Sequence, residues 1–325
     1  MISITENDIT KNWDQNDSIS VSICCITYNQ RDYIEKAIDS FLTQKTSFPF
    51  EIIIGNDCST DGTNKILEEY KKKYPNIISI ITPFNNIGAN KNLLQVFQYA
   101  KGDYIALCEG DDYWIDNNKI NEQKTILSGA ENINLLVSYA WVVGDNNKGK
   151  QRPFIPPHNE KYISSLANVL ASKWQFASTA TYFFKREALK SLPAWFAQAT
   201  IGDLYLELYL GENGIIVDPK YRAAYRYNAN GSWTKTIKKE KFIRIERHLL
   251  DVINRLETIK KDIPSISKYL EFKIYDYKYS LSNLYLRTFK ISKHIEILRT
   301  INNYPNMSTK RKLYLSLIRK ITSNE

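Results

Sequence analysis

Four short, nearly continuous apolar runs punctuate the first 110 residues: 21–27 (VSICCIT), 51–55 (EIIIG), 77–81 and 104–108 (YIALC). Apolar runs of this length without polar alternation read as strands covered on both faces. Between them, apolar residues recur at helical spacing, first as Ile34, Ala37, Ile38, Phe41 and Leu42. Ile66, Leu67, Tyr70 and Tyr74 repeat the pattern, and so do Leu93, Leu94, Phe97 and Ala100. An alternation of strand and helix predicts an α/β fold with a mostly parallel sheet and right-handed crossovers. Ligands of such sheets sit beyond the carboxyl ends of the strands. The segments to inspect are therefore 27–31, 56–63, 85–92 and 109–114.

Past Trp114 the pattern is less regular. Residues 144–160 (GDNNKGKQRPFIPPHNE) read as a long surface loop, residues 176–184 as a further strand, and residues 203–210 as a short helix after Gly202. The charge is unevenly placed. Of 44 Lys+Arg and 35 Asp+Glu, the residues from Thr236 onward hold 20 and 9, so the first part is near neutral at −2 and the tail carries +11. That shift divides the chain into an expected domain 1–235 and a basic helical region 236–325. The longest apolar stretch, 135–143, falls far short of the ~20 residues that span a bilayer. The N-terminus is polar and acidic, unlike a secretory signal, which points to the cytoplasm. Four cysteines without a Cys-x-x-Cys pair suggest neither a disulfide framework nor a zinc site, and read as small core residues.

Each strand end carries polar residues suited to a nucleotide. The first is Thr27-Tyr28-Asn29-Gln30, a ring to lie near a base beside amide groups, or else an ordinary strand-to-helix turn. In the second, Asp57 can accept the imide N–H of uracil or thymine, while Ser59, Thr60 or Asp61 would cap the next helix. The third, Asn86-Ile87-Gly88-Ala89-Asn90-Lys91-Asn92, opens a helix where a basic side chain and free N–H groups can meet a phosphate. The fourth is Glu109-Gly110-Asp111-Asp112-Tyr113-Trp114. Its three clustered carboxylates repel one another unless a cation is present, and oxygen-only ligands suit Mg²⁺ or Mn²⁺.

These four motifs, in this order, resemble the metal-dependent, inverting glycosyltransferases of family two, which have the GT-A fold; the similarity runs over residues 20–234. Asn56 and Glu109 each replace an Asp of the family pattern. The resemblance implies that Thr27, Tyr28 and Asn29 line the nucleoside, and that Asp57 binds the base with Ser59 beside it. It places Asn86, Gly88 and Lys91 near the diphosphate, Glu109 and Asp112 on the donor side, and a Mn²⁺ or Mg²⁺ ion on Asp111. It also implies that Asp203, after Gly202, deprotonates the acceptor hydroxyl; the plainer alternative is a helix N-cap. Tyr225-Arg226-Tyr227-Asn228 resembles a Tyr-Arg-x-His segment with Asn in the His position. The implied reaction moves a sugar from a UDP- or dTDP-linked donor to a glycan or lipid-linked acceptor. The setting implied is bacterial O-antigen or capsule synthesis.

A sugar-nucleotide nucleotidyltransferase would carry a glycine-rich phosphate loop after the first strand, and residues 27–31 contain no glycine. A nucleic-acid-binding protein would fit the overall basicity, but the basic residues lie outside the domain with the organised strand ends, so no nucleic-acid partner is expected. In the tail, Phe242, Ile245, Leu249, Val252 and Leu256 recur at helical spacing, as do Leu313, Leu317 and Ile321, with Lys and Arg interleaved. This pattern fits packing on the catalytic domain, packing in an oligomer, or attachment to an anionic membrane at the inner face of the cell. His158, His248 and His294 lie outside every motif and read as surface residues.

Overall fold

The computed structural model describes residues 2–14, 16–144, 152–172, 175–229 and 242–301. The chain divides into two compact units, Met1–Lys238 and Lys239–Glu325. In the first, a short helix α1 (Glu6–Thr10) precedes the alternation β1 (Val21–Thr27), α2 (Ile34–Leu42), β2 (Phe50–Asn56), α3 (Thr63–Lys73), β3 (Ile78–Ile81), α4 (Ala89–Tyr99) and β4 (Tyr104–Leu107). Then come β5 (Tyr113–Trp114), α5 (Lys119–Ser128), β6 (Leu135–Val143), β7 (Arg152–Pro153), β8 (Tyr162–Ser164), α6 (Leu166–Ala171), β9 (Phe183–Lys185), α7 (Asp203–Leu210) and β10 (Ile215–Arg226). Among the described residues these ten strands form one sheet, in the order β3-β2-β1-β4-β9-β6-β10-β5, with β7 on β6 and β8 on β10. The long pairings β1–β2 and β6–β10 are parallel, as are β2–β3 and β1–β4, whereas the short strands β5, β7, β8 and β9 join antiparallel.

The apolar periodicity is what seats the helices. Ile34, Ala37, Ile38, Phe41 and Leu42 are all buried on one stripe of α2, and β1 and β2 are buried along almost their whole length. Chain order runs outward from β1 to β2 and β3, then returns to place β4 on the other side of β1. The reversal between β1 and β4 is the point at which open α/β sheets bind ligands.

Two stretches differ from the sequence expectation. Residues 176–184 are not one strand: Thr179–Thr181 form a 3₁₀ turn and pairing begins only at Phe183. The Thr181 hydroxyl donates to Ser178 O at 2.7 Å, the kind of local side-chain bond that competes with a ladder. The expected loop 144–160 contains β7, paired with Trp141 and Val142; residues 145–151 lie outside the described residues.

The second unit contains α8 (Phe242–Asp262), α9 (Ser267–Arg287) and α10 (Ile291–Thr300), with α9 packed against both others. Leu249, Val252, Ile253, Leu256 and Ile259 form the buried seam of α8. Acidic residues pair within the unit, Glu246 with Lys290 and Lys293, and Glu271 with Lys260. His294 is not a surface residue: it is buried, with Nδ1 2.8 Å from the Ser282 hydroxyl. His248 is half-buried, and only His158 is exposed. The expected pattern at Leu313, Leu317 and Ile321 lies outside the described residues. No described helix is long and apolar enough to cross a membrane.

Candidate functional site

The loops after β1 and β2 are fastened to one another. Asn29, held at φ 52°, donates its N–H to the Ser59 hydroxyl at 2.9 Å, and its Oδ1 accepts the N–H of Thr60 at 2.8 Å. The next two N–H groups follow suit, Gln30 donating to Thr63 Oγ1 at 3.0 Å and Arg31 to Asp61 Oδ2 at 2.9 Å. Asp61 also accepts the N–H and hydroxyl of Thr63, which holds its carboxyl below the usual range. The residue at the N-cap position of α3 is Gly62, so Asp61 fastens the first turn from one place further out. Thr27 is buried, with its hydroxyl on Gln30 Oε1 at 2.8 Å, while the Tyr28 ring is 42% exposed at the rim.

Asp57 is buried at the end of β2, and its two oxygens accept from Ile87 N at 2.7 Å and Gly88 N at 2.9 Å. Asn86 Nδ2 donates back to Asp57 O at 3.2 Å. Gly88, at φ 88°, is the residue at which the chain turns into α4, and Lys91 lies exposed in the first turn. Thus Thr27, Asn29, Ser59, Asp57, Asn86, Gly88 and Lys91 stand at or just beyond the carboxyl ends of β1, β2 and β3, up to the first turn of α4.

The acidic motif lies across the sheet reversal. Gly110 N donates to Ile26 O at 3.0 Å, and a Cβ on Gly110 would lie 2.6 Å from Gln30 Oε1, 2.8 Å from Thr27 Oγ1 and 2.9 Å from Ile34 Cδ1, so a side chain there would crowd the end of β1. Burial and the Asp111 charge push the Glu109 carboxyl up to about 8, although the Thr179 hydroxyl donates to it at 3.1 Å. Burial raises Asp111 to about 6 against the opposing pull of Arg226. Asp112 is displaced upward by burial and by Asp111; its Oδ1 accepts Arg226 N at 2.7 Å, and its Oδ2 is buried without a hydrogen-bond partner. Arg226, at the end of β10, also donates Nε to Asp111 O at 2.9 Å, with its guanidinium over the rings of Tyr33 and Tyr113.

Three carboxyls strained by burial and mutual repulsion fit a hard divalent cation, which would favour their charged forms. Among the described residues no three His, Cys, Asp or Glu side chains converge as a complete ligand set. Mg²⁺ and Mn²⁺ need only one or two protein carboxylates when substrate phosphates supply the rest.

Asp203 is the first residue of α7, and Gly202, not Asp203, occupies the N-cap position. Its Oδ1 accepts Leu204 N at 2.9 Å. Its charge is felt at Glu109 across the site and at Glu207 one helical turn on. Glu207 is buried, accepting from Ala177 N at 3.1 Å and from the Tyr182 hydroxyl, and burial lifts its carboxyl to about 8.

No sequence motif points to Thr179, Tyr182 or Glu207, and the Tyr225 to Asn228 segment gives Arg226 no stated partner. Arg226 and Thr179 reach the acidic motif from strands and turns that follow it by many residues, and only Arg226 carried a signal, its place before Asn228 in the Tyr-Arg-x-His-like segment. Cys24, Cys25 and Cys108 are buried as expected, but Cys58 is half-exposed in the β2 loop at φ 62°.

An uncharacterized protein of Mycobacterium tuberculosis is 34% identical over 66% of this chain and 60% of its own length, so the chain spans about 60% of that relative. The poly(ribitol-phosphate) beta-N-acetylglucosaminyltransferase TarS of Staphylococcus aureus is 25% identical over 74% of this chain and 42% of its own. A crystal structure of S. aureus TarS in complex with UDP-GlcNAc superposes with a TM-score of 0.54 at 17% identity, covering 87% of this chain and 90% of that one. A mannosyltransferase from Pyrobaculum calidifontis, in complex with GDP-Man and Mn²⁺, gives 0.55 at 13% identity, covering 94% and 83%. These structures share the fold. Residues 22–192 match the model of glycosyl transferase family 2, and on that match the chain belongs to this family.

Proposed function

We propose that the protein transfers a sugar from a UDP- or dTDP-linked donor to a hydroxyl of a glycan or lipid-linked acceptor, with inversion, in the synthesis of a bacterial surface polysaccharide such as O-antigen or capsule. The observation that carries this reading is the placement of Glu109 and Asp111 at the sheet reversal. The Asp57-held turn into α4 stands on one side of them, and Asp203 lies within electrostatic range of Glu109. The likeness to TarS, a poly(ribitol-phosphate) beta-N-acetylglucosaminyltransferase whose structure is known with UDP-GlcNAc, supports a UDP-linked donor and a polymeric acceptor.

In this reading Thr27, Tyr28, Asn29, Asp57 and Ser59 receive the nucleoside. The α4 N-terminus with Asn86, Gly88 and Lys91 faces the diphosphate. Asp111 would hold Mn²⁺ or Mg²⁺, with Glu109 beside it. The bound ion supplies neutralisation of the charge that grows on the leaving diphosphate. The acceptor oxygen forms its bond to the anomeric carbon as the bond from that carbon to the diphosphate oxygen breaks, and Asp203 takes the acceptor proton. A single displacement inverts the anomeric centre and needs no covalent sugar intermediate. Asp112 serves the site through Arg226, holding the end of β10 against the motif.

We read residues 1–235 as the catalytic domain and the C-terminal unit as a helical packing unit. Its internal ion pairs support that assignment over a charge surface reserved for an anionic membrane. The decisive experiment is a screen of UDP-, dTDP- and GDP-sugars for Mn²⁺-dependent release of the nucleoside diphosphate. Release that survives EDTA, or no release and no binding with any donor, would overturn the reading.

A further inference from the structure

We infer that Asn90 is a positioning residue that ties the diphosphate-facing end of α4 to the loop presenting Asp203, so that the placement of the base responds to an occupied donor site through one side chain. The inference rests on the proposed roles of α4 and Asp203.

Asn90 is the second residue of α4, between Gly88, whose N–H is held by Asp57, and Lys91. Its side-chain amide reaches more than 100 residues along the chain. Nδ2 lies 2.8 Å from Ala199 O, 3.1 Å from Ile201 O and 3.2 Å from Phe196 O. Those carbonyls belong to the turn that ends two residues before Asp203, and they precede the hydrogen-bond ladder of α7. Two amide protons shared among three acceptors gather this turn around one point. Phe196 O also takes Ala199 N–H at 3.2 Å, so the bonds to Ala199 O and Ile201 O are the ones that tie the turn to α4. A main-chain carbonyl at a partly buried site costs free energy when it loses such a partner.

The other half of the amide fixes what may face it. A Cβ on Gly202 would lie 2.6 Å from Asn90 Oδ1, so glycine is required next to Asp203 for the amide to seat. Asp at position 90 would turn an oxygen toward three carbonyl oxygens, and Ala would offer them nothing. The path is short and continuous: Asp57 to Gly88, two residues on to Asn90, the 196–201 turn, then Asp203. A donor that presses on the α4 N-terminus therefore acts on the base loop through Asn90.

The test uses UDP with Mn²⁺ as the probe and hydrogen–deuterium exchange of peptides covering residues 199–206 as the readout. In the wild type, UDP–Mn²⁺ slows exchange there. In Asn90→Ala the calorimetric affinity for UDP–Mn²⁺ is kept and the slowing is lost; Gly202→Ala does the same from the other side of the contact. With a donor that turns over, Asn90→Ala lowers kcat by about ten- to a hundredfold at unchanged donor KM. It causes no further loss in an Asp203→Asn background. Slowing that persists in both variants, or a kcat loss of equal size in the Asp203→Asn background, overturns the coupling. A wild type that binds UDP without protection at 199–206 overturns it too. Failure of the wild type to bind UDP–Mn²⁺ at all sinks the donor reading and this inference with it.

Discussion

The carboxylate of Asp57 accepts the main-chain N–H of Gly88 across 31 positions of sequence, at 2.9 Å, while its other oxygen takes Ile87 N at 2.7 Å. A buried acid at the end of one strand thereby sets the start of the helix after the next. Asp57→Ala leaves both N–H groups without acceptors, at a cost of about 1–3 kcal/mol for each that stays buried. We expect a lower melting temperature together with a marked loss of UDP affinity in calorimetry. Asp57→Asn, with one acceptor oxygen instead of two, should fall between Ala and the native protein. Native UDP binding by Asp57→Ala would separate the residue from the nucleotide.

Asp111→Ala should remove the part of the UDP affinity that depends on Mn²⁺, leaving the weaker metal-free binding in place. Titrating UDP with and without EDTA, for native and variant proteins, reads this directly. Equal Mn²⁺ dependence in the two proteins would exclude Asp111 as the ion's anchor.

Asp203→Asn keeps the size of the side chain and its bond from Leu204 N but cannot take a proton. Turnover should drop by about 10²- to 10⁴-fold, the usual scale for a lost general base. The donor KM should hardly move. A variant that loses donor affinity at an unchanged catalytic rate would identify Asp203 as a donor contact instead.

Glu207 gives stability a predictable pH dependence. Its carboxyl is raised by burial, and by Asp203, from the ordinary 4.5 to about 8. The folded protein therefore keeps a proton that the unfolded chain releases. Stability from this group is full below the unfolded value and declines as pH rises toward the folded one, by up to about 1.4 kcal/mol per pH unit. Glu207→Gln should flatten the wild-type decline in urea midpoint between about pH 5 and about pH 8. It should also gain relative stability at the alkaline end. An unchanged slope would mean that Glu207 is ionised in the folded state.

The parts of the fold legible in the sequence are those where one residue pattern has one physical solution. The VSICCIT run and the Ile34 to Leu42 stripe became β1 and α2 because both faces of the strand and one face of the helix had to be buried. Residues 176–184 were equally apolar, yet Ser178, Thr179 and Thr181 carry hydroxyls that can satisfy the main chain locally, and a turn formed there. His294 resembled a solvated residue because its partner, Ser282, is on the preceding helix rather than in any motif. In the site, loop positions could be read from strand ends, but partners could not. Nothing local to Asp112 announces Arg226, and nothing local to Asn90 announces the turn at 196–201, because those contacts exist only after the sheet has closed.

The five hydrogen bonds between residues 29–31 and 59–63 have a consequence for protein engineering. Neither loop holds its shape by its own bonds alone, since the N–H groups of one end on the side chains of the other. Exchange of these loops between relatives of this protein must therefore carry both segments as a single cassette. A graft of the first loop alone would arrive without the hydroxyls and carboxylate that shape it.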